Sequence, residues 1–415
     1  MDSQLDRLRS LLSEILPTNQ FYARKFAGVA PADVRTPADF ARLPFTCKAE
    51  FAADQAEHPP YGSTLTHAPD EYCRLHQTSG TSTGRPLRWL DTPRSWEWLL
   101  NCWTTSFPIM GLRKSDKLFF PFSFGPFLGF WSAFEAATRA GFLCVPGGGM
   151  TSTARLRFLL EHRFTVVFAT PTYALHLAEL AAKEGVDLTG SAVRAVVVAG
   201  EPGGSIPATR RRIEEVWGAR VFDHYGMTEV GPVAVEAEST PASLVVLESE
   251  YIAEILEPAG TSPVPVGDVG ELVLTNLGRV GSPVIRYRTG DLVKAAVNPP
   301  PVPGVPNWLR LDGGVLGRAD DMIHVRGNNL YPTAIEAIVR RFPQVTEFRI
   351  VVDESGPLPD LRLDVEPSPA AGPELAEAVA RAIRDELLFR VDVTPVPPGT
   401  LPRFEMKARR VVRCS

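Results

Sequence analysis

The stretch RAVVVAGEPGG, from Arg194 to Gly204, predicts the fold of this chain. Its apolar, β-branched run lacks polar alternation, and such a run is typical of a strand that is buried on both faces of a parallel sheet. The run ends in a glycine-rich turn. Open α/β sheets bind ligands just beyond the carboxyl ends of their strands, so we expect a ligand near this turn.

The segments on both sides of this stretch repeat the same unit. VVFA (Val166–Ala169) is a second short apolar strand, placed between a helix that ends near His162 and a helix over 173–183. A helix follows Pro207, and a strand over 220–222 comes next. Alternating helices and apolar strands predict a parallel sheet that is covered by helices on both faces.

The rest of the chain predicts a second unit. An amphipathic helix opens the chain, with Leu5, Leu8, Leu11, Leu12 and Ile15 on one face. From about residue 240 the sequence becomes rich in strands, which indicates a small β subdomain. We therefore predict an α/β fold with a large N-terminal domain over 1–317 and a small, mobile α+β C-terminal domain over 318–415.

Composition narrows the function classes. The chain has 415 residues, 44% hydrophobic residues and a net charge of −5, which argues against a nucleic-acid partner. Five cysteines and seven histidines are scattered without metal-like spacing, and free thiols favour a cytoplasmic location. The start of the chain does not resemble a signal peptide, and the uncharged stretch 118–134 is short for a membrane span. We predict no membrane partner.

The loop HQTSGTSTGRP (His76–Pro86) is suited to binding an anion. Its glycines permit close backbone approach, and its hydroxyls add neutral donors. Gly80 and Gly84 lie too close for a Walker loop, and no strand runs into a GxGxxG pattern. On composition alone, a flexible surface loop fits the stretch equally well.

Two further stretches carry polar groups that suit a nucleotide. In DHYGMTEVG (223–231), Tyr225 could stack on a base, Thr228 could bond a phosphate, and Glu229 could bind Mg²⁺ through oxygen. In YRTGDL (287–292), the Asp291 carboxylate could accept hydrogen bonds from two ribose hydroxyls.

Seven motifs, in this order along the chain, carry a resemblance to a known family. They are LPFTCK, TSGTSTGRP, the AGEP turn, YGMTE, YRTGD, GRADDM…RG and PRFEMK. Together they resemble the adenylate-forming superfamily of acyl-CoA synthetases, non-ribosomal peptide adenylation domains and luciferases. The phenylacetate–CoA ligase group is the most similar subfamily.

The resemblance implies a two-step reaction that uses ATP, Mg²⁺ and coenzyme A. A carboxylate attacks the α-phosphate of ATP and gives an acyl-adenylate and pyrophosphate, and a thiol then displaces AMP. Thr228 would bind the α-phosphate, Glu229 would bind Mg²⁺, and Lys407 would place a positive charge between the two anionic reactants. Taken without the other motifs, Lys407 is a solvated charge in a basic tail.

The resemblance also implies a nucleotide site and a hinge. The nucleotide site would comprise Thr78, Ser79, Gly80, Thr81, Ser82, Thr83, Gly84, Arg85, Gly200, Glu201, Pro202, Asp223, His224, Tyr225, Gly226, Asp291 and Arg318. Asp320 would be the hinge about which the small domain rotates between the steps, although an acidic pair such as Asp320–Asp321 is often an exposed turn. Rotation would exchange Lys407 for Arg326 and Gly327, which would face the pantetheine arm.

Departures from the family pattern concern the phosphate loop, the lysine motif and the acyl pocket. Arg85 replaces the usual lysine, and Met406 replaces the usual glycine before Lys407. The stretch 122–131 is dense in aromatic rings and predicts a flat aromatic acid as the substrate, although most such clusters are plain core. The acyl-pocket candidates are Phe124, Phe127, Ala199 and Met227.

Three hypotheses follow. The first is an ATP-dependent aryl-acid–CoA ligase. The second retains adenylation but loads the phosphopantetheine of a separate carrier protein. The third is a nucleotide-binding relative without catalysis, which the presence of Glu229, Asp291 and Lys407 disfavours. The resemblance is compatible with a homodimer.

Overall fold

The computed structural model describes residues 2–78, 86–325, 328–354, 360–404 and 408–414. The α-helices of these residues are α1 Asp2–Ile15, α2 Gln20–Lys25, α3 Pro37–Ala41, α4 Lys48–Glu57, α5 Pro93–Ile109, α6 Trp131–Arg139, α7 Ser152–Glu161, α8 Pro171–Lys183, α9 Pro207–Trp217, α10 Pro332–Val339 and α11 Leu375–Leu387. The strands are β1 Arg74–Gln77, β2 Arg88–Asp91, β3 Lys117–Phe120, β4 Leu143–Pro146, β5 Val166–Ala169, β6 Ala195–Val198, β7 Arg220–Met227, β8 Gly231–Ala237, β9 Thr240–Val246, β10 Tyr251–Leu256, β11 Val269–Asn276, β12 Tyr287–Lys294, β13 Arg310–Asp312, β14 Gly317–Arg318, β15 Ile323–Val325, β16 Asn328–Leu330, β17 Val345–Asp353, β18 Asp360–Pro367, β19 Asp392–Pro395 and β20 Val411–Cys414.

An eight-stranded sheet forms the centre of the molecule, in the order β13-β9-β8-β7-β6-β5-β3-β4. Strands β4, β3, β5, β6 and β7 are parallel, which confirms the prediction from the apolar strands. Val166 and Phe168 of β5 face one hydrophobic core, whereas Val167 and Ala169 face another. The alternation explains why the sequence of this strand is apolar throughout.

The strand order contains a switch point between β3 and β5. The chain leaves β3 through α6 and adds β4 on one side, whereas it leaves β5 through α8 and adds β6 on the other. The two connections diverge and open a crevice at the carboxyl ends of the strands, which is where open α/β sheets bind ligands. The aromatic loop 121–130 and the start of α8 lie at this crevice.

Two predictions about strands need correction. The strand predicted over 220–222 continues to Met227, because residues 224–227 pair with β8 in an antiparallel ladder that includes His224 opposite Val235. The β-rich region beyond residue 240 does not form one subdomain. Strand β9 extends the large sheet, and a separate antiparallel sheet has the order β10-β11-β12-β14.

The first helix and the cap of α5 agree with the sequence patterns. The five apolar residues predicted on one face of α1 are all buried. Thr92 caps α5, since its side chain accepts a hydrogen bond from the Ser95 N–H at 3.2 Å, and Pro93 occupies the first turn. Both features are local, and local patterns predict them well.

A third hydrophobic core, drawn from Ile323 to Val391, belongs to the C-terminal region. Its sheet has the order β19-β18-β17-β20, and α10 and α11 contribute residues to the same core. We call residues 2–318 the large part and 323–414 the small part. Within the described ranges, no helix combines the length and apolar character that crossing a membrane requires.

Candidate active site

Three segments of the large part meet at the carboxyl edge of the sheet. They are the turn after β6, the β7–β8 hairpin and the middle of strand β12. Close packing joins the first two: a Cβ on Gly204 would lie 2.6 Å from an oxygen of Asp223. A hydrogen bond joins the second and third, because the Tyr225 hydroxyl donates to Asp291 at 2.6 Å. The AGEP, YGMTE and YRTGD motifs, which are separate in the sequence, are therefore neighbours in space.

The Ser/Thr/Gly stretch lies in the sequence between two strands that pair with each other. Strands β1 and β2 pair antiparallel, and Thr78 closes the hairpin end. Its N–H donates to the carbonyl of Leu87 at 2.9 Å, and its hydroxyl accepts from the Leu87 N–H at 2.9 Å. Thr78 therefore has a structural role at the base of the loop. The predicted phosphate-binding residues Ser79, Gly80, Thr81, Ser82, Thr83, Gly84 and Arg85 lie outside the described residues.

The Thr228–Glu229 turn is held from behind by a buried arginine. Arg279 donates to the carbonyl of Thr228 at 2.7 Å and to that of Glu229 at 3.1 Å. The same guanidinium binds both carboxylate oxygens of Asp91 at 2.7 Å, and neither side chain is exposed to solvent. Because Asp91 ends β2, this pair ties strand β2 to the turn that carries the candidate metal ligand.

The Glu229 carboxylate is buried and lies beside a lysine. Nζ of Lys48 is 3.4 Å from Oε1 of Glu229. Lys48 is the first residue of α4. Two residues earlier, Thr46 bonds to the chain at the start of β12: its N–H donates to the carbonyl of Arg286, just before the strand, and its carbonyl accepts from the N–H of Arg288, each at 2.9 Å. No group of three or more acidic, histidine or cysteine side chains suited to a metal occurs in the described ranges.

Sequence reasoning assigned no role to Lys48 or Arg279. Lys48 closes the LPFTCK motif and begins helix α4, and its place in a motif is a signal from which a role could have been predicted. No local sequence pattern points to a role for Arg279, because its partner Asp91 is 188 residues away in the chain.

A line of polar contacts runs from β7 to the predicted hinge. Asp291 accepts from the Tyr225 hydroxyl and also from Nη1 of Arg318, at 2.9 Å. Arg318 then donates from Nε and Nη2 to the two oxygens of Asp320, each at 2.8 Å. The structure thus brings together Asp291 and Arg318 of the predicted nucleotide site and the predicted hinge residue Asp320.

Burial and the nearby Asp291 carboxylate raise the pKa of Tyr225 far above its usual value, so the phenol keeps its proton and remains a donor. Burial works against the charge of Arg318, but Asp320 and Asp291 outweigh it and raise the pKa of the guanidinium. The guanidinium of Arg318 therefore stays positively charged between the carboxylates of Asp291 and Asp320.

Two other residues of the predicted nucleotide site, Asp223 and His224, lie in a more apolar setting. Burial, aided by the Glu236 charge, raises the pKa of Asp223 to about 7, although its hydrogen bond from Ser205 lowers it. His224 stacks on Trp103 with ring centroids 4.0 Å apart, and burial lowers the pKa of the imidazole to about 3. His224 is therefore a neutral ring, buried against a core aromatic side chain.

Two glycines of the site lie where the backbone comes so close to another segment that a side chain would not fit. Gly226 lies where β7 and β8 come close, since a Cβ there would be 2.6 Å from the carbonyl oxygen of Gly231. Gly203 has a φ of +152° and a Cβ on it would clash with Pro171 of α8. Gly200 and Pro202 lie in the same turn, whose conformation brings α8 against the end of β6.

Glu201 in this turn makes contacts that the sequence did not predict. One carboxylate oxygen accepts from the Thr172 N–H in the first turn of α8 at 2.8 Å. The other accepts from the Ala408 N–H of the small part at 2.6 Å. Burial raises the pKa of Glu201, while Arg410 and these N–H donors lower it. The side chain thus bridges the two parts of the molecule.

The acyl-pocket candidates lie after different strands of the sheet: Phe124 and Phe127 follow β3 at the switch point, Ala199 follows β6, and Met227 ends β7. Phe124 packs against Phe122 and Trp131, with ring centroids 4.6 Å away in both cases, and Phe127 is 38% exposed. Ala199 and Met227 are partly buried against the first core. The exposed ring of Phe127 and the partly exposed Phe124 are available to contact a ligand, whereas Phe130 is core.

Three residues assigned to the two half-reactions lie outside the described residues: Lys407, Arg326 and Gly327.

The chain is similar to known proteins over nearly its whole length. The family model described as AMP-binding enzyme matches residues 23–278, and the one described as AMP-binding enzyme C-terminal domain matches 327–413. A phenylacetate-coenzyme A ligase of Thermus thermophilus is 32% identical over 435 residues, which cover 99% of this chain and 95% of the relative. A phenylacetate-coenzyme A ligase of Escherichia coli is 30% identical, and the match covers 98% of this chain and 93% of the relative.

Solved structures of a 2-hydroxyisobutyryl-CoA ligase show the same fold in two states. In the postadenylation state, with an acyl-AMP, that ligase matches this chain with a TM-score of 0.92 at 30% identity, over 99% of this chain and 89% of the other. In its thioesterification state the TM-score is 0.74 at 31% identity, over 99% and 88%. The sequence motifs, the fold and the matched regions lead to one conclusion: this chain belongs to the AMP-binding enzyme family.

Proposed function

We propose that this protein is an ATP-dependent acid–CoA ligase that forms AMP. The observation that carries the proposal is the convergence of Glu229, the Tyr225–Asp291 pair and Arg318 at one edge of the sheet. Near full-length similarity to phenylacetate-coenzyme A ligases supports the same conclusion.

In the first half-reaction, a carboxylate oxygen of the acid attacks the α-phosphorus of ATP. The bond from that phosphorus to the bridging oxygen breaks, and pyrophosphate leaves. Asp291 would accept from the ribose hydroxyls, held in orientation by Tyr225 and Arg318. Thr228 would donate its hydroxyl to the α-phosphate, from a turn whose carbonyl is held by Arg279.

Glu229 fits the role of magnesium ligand. It offers one buried carboxylate, and Mg²⁺ in nucleotide sites is commonly held by one or two carboxylates, with water and phosphate oxygens as the other ligands. When bound, the ion would neutralise charge on the phosphates. Lys48, 3.4 Å from Glu229, is a second positive charge at the same place.

In the second half-reaction, the thiol sulfur of coenzyme A attacks the acyl carbon. The bond from that carbon to the phosphate oxygen breaks, AMP leaves, and the thiol proton passes to solvent. We propose that residues 318–415 rotate between the steps about Asp320, with Lys407 serving adenylation and Arg326–Gly327 serving thioester formation. The contact of Arg318 with both Asp291 and Asp320 supports a hinge at this point.

We propose an aromatic acid as the substrate. The support is the partly exposed ring of Phe127 and its neighbour Phe124 at the switch-point crevice. Phenylacetate-coenzyme A ligases are named for an aromatic acid, and a 2-hydroxyisobutyryl-CoA ligase for a small branched one. All five cysteines are free, which supports a reducing, cytoplasmic setting.

Pyrophosphate release in the presence of ATP and Mg²⁺, over a panel of aromatic and aliphatic acids, tests the proposal. We expect acid-dependent release, and a thioester once coenzyme A is added. Absence of release with every acid would favour the non-catalytic alternative. Release without any coenzyme A thioester would favour a carrier-protein acceptor.

A further inference from the structure

We propose that the Glu201 carboxylate is a positioning residue that holds the small part in the arrangement for adenylation, by accepting a hydrogen bond from the Ala408 N–H. This inference rests on the proposed function. It assigns Glu201 a role in choosing between the two half-reactions, in addition to any contact of its backbone with the nucleotide.

The geometry of Glu201 is that of a bridge. Its two oxygens accept from N–H groups on different parts of the molecule: Thr172 in the large part at 2.8 Å and Ala408 in the small part at 2.6 Å. Hydrogen bonds to a carboxylate are stronger than those between neutral groups. With both oxygens engaged by protein N–H groups, we do not expect the carboxylate to bind adenine.

Arg410 completes the contact from the small part. It binds Glu347 at 2.7 and 3.1 Å and Glu336 at 3.2 Å, which fixes it to the small part. Its Nη2 also donates to the Thr172 hydroxyl at 3.1 Å. Thr172 therefore donates its N–H to Glu201, and its hydroxyl accepts a hydrogen bond from Arg410. Together with the bond from Ala408 to Glu201, these contacts join the two parts at one place.

A second contact, between charged side chains, joins the C-terminal region to helix α8. Arg403 binds Glu366 within the small part and approaches Glu179 of α8 at 3.8 Å. Burial raises the pKa of Glu179, and the Arg403 charge opposes that shift. The N-terminal turn of α8 and its third turn thus both face the C-terminal segment of the chain.

The position of Ala408 connects this contact to the chemistry. Ala408 directly follows Lys407, the residue that the family resemblance assigns to adenylation. The arrangement of the two parts matches the postadenylation state of the 2-hydroxyisobutyryl-CoA ligase better than its thioesterification state, with TM-scores of 0.92 and 0.74.

A rotation of the small part would move Ala408 and Arg410 relative to α8. A contact present in only one arrangement shifts the equilibrium toward that arrangement. The Glu201 contact therefore favours the adenylation arrangement and must break before thioester formation.

Three variants test the proposal. Glu201→Ala removes the acceptor. Ala408→Pro removes the N–H donor and leaves the Glu201–Thr172 bond in place. Glu386→Ala, which breaks an ion pair with Arg341 inside the small part, is the matched control. Thermal melts identify any variant that fails to fold, and the double variant Glu201→Ala/Ala408→Pro shows whether the two changes act through one contact.

Hydrogen exchange gives a readout that needs no substrate. We expect faster exchange in the peptide over 408–414 for Glu201→Ala, with unchanged exchange over β18, and no change in either peptide for Glu386→Ala. Failure of the proposed function would leave this result intact. Unchanged exchange over 408–414 in Glu201→Ala would overturn the inference.

The two half-reactions give the second readout, with phenylacetate as the probe acid. For Glu201→Ala we expect pyrophosphate release to fall about tenfold, and thioester formation from prepared phenylacetyl-adenylate and coenzyme A to stay within about twofold. The double variant should lose no more than the more impaired single variant. Equal losses in both half-reactions would mean that Glu201 is merely structural and would overturn the inference.

Discussion

The two sides of the proposed nucleotide site are held by different kinds of contact. On the large-part side, Arg279 and Asp91 form a fully buried, bidentate pair, and Tyr225 donates to Asp291 at 2.6 Å. Among the described residues, the contacts on the side that faces the small part include the Glu201 bridge, one bond from Arg410 to Thr172, and a charge contact between Arg403 and Glu179 at 3.8 Å.

The difference corresponds to what each side must do. The nucleotide stays bound through both proposed half-reactions, so its contacts gain from buried partners that do not rearrange. In the proposed cycle the small part changes position between the steps, and contacts at an interface can break without unfolding either part. One fold would then combine a rigid side, formed by the buried contacts of the large part, with a movable side at the interface.

The largest effect should come from the rigid side. Arg279→Met leaves the Asp91 carboxylate buried without its partner and removes two donors from the Thr228–Glu229 turn. We expect a loss of about 3–5 kcal/mol in the free energy of unfolding, measured with urea. Arg413→Ala, which removes an exposed pair with Glu354, should cost less than about 1 kcal/mol. A loss in Arg279→Met as small as in this control would remove the contrast between the two sides.

On the movable side, Lys407→Ala should reduce adenylation by about 10²–10³-fold, because a positive charge beside the two anionic reactants is lost. Thioester formation from a prepared acyl-adenylate should stay near the native rate, and urea unfolding should be unchanged. Rapid-quench measurement of each half-reaction checks this. A similar loss in both half-reactions would contradict the assignment of Lys407 to the first step alone.

A smaller change should follow loss of one contact on the rigid side. Tyr225→Phe removes the hydroxyl that donates to Asp291 while Arg318 remains bound to that carboxylate. We expect about a tenfold weaker binding of ATP, measured by titration calorimetry, since a hydrogen bond to a charged group contributes about 1.5–3 kcal/mol. Tyr61→Phe is the control. Unchanged affinity in Tyr225→Phe would show that Asp291 needs no support from β7.

The smallest effect concerns pH. Because the pKa of Asp223 is raised to about 7 in the folded protein, its contribution to stability is fully present below about pH 3.8 and is lost as the pH rises through about 7. Asp223→Asn, which cannot ionise, should lack that part of the pH dependence. Melting temperatures between pH 5 and 8 should therefore fall about 1–2 °C more in the native protein than in the variant. Parallel curves would mean that Asp223 does not titrate in this window.

Much of the architecture follows from the sequence because its causes are local. The apolar runs of β5 and β6 predict a parallel sheet buried on both faces, and the structure confirms it. Thr92 and Pro93 predict the start of α5 for reasons of capping and backbone geometry. The motifs and their order also led to the correct family.

Tertiary structure alone decided which distant residues meet. Arg279 pairs with Asp91 across 188 residues, and Glu201 bonds Ala408 across 207. It also decided that β7 continues through the DHYGM motif, since pairing with β8 overrides the turn-like composition of that stretch. Helix and strand periodicity report which face of an element is buried, whereas the partner that a buried charge finds depends on how elements from remote parts of the chain pack together.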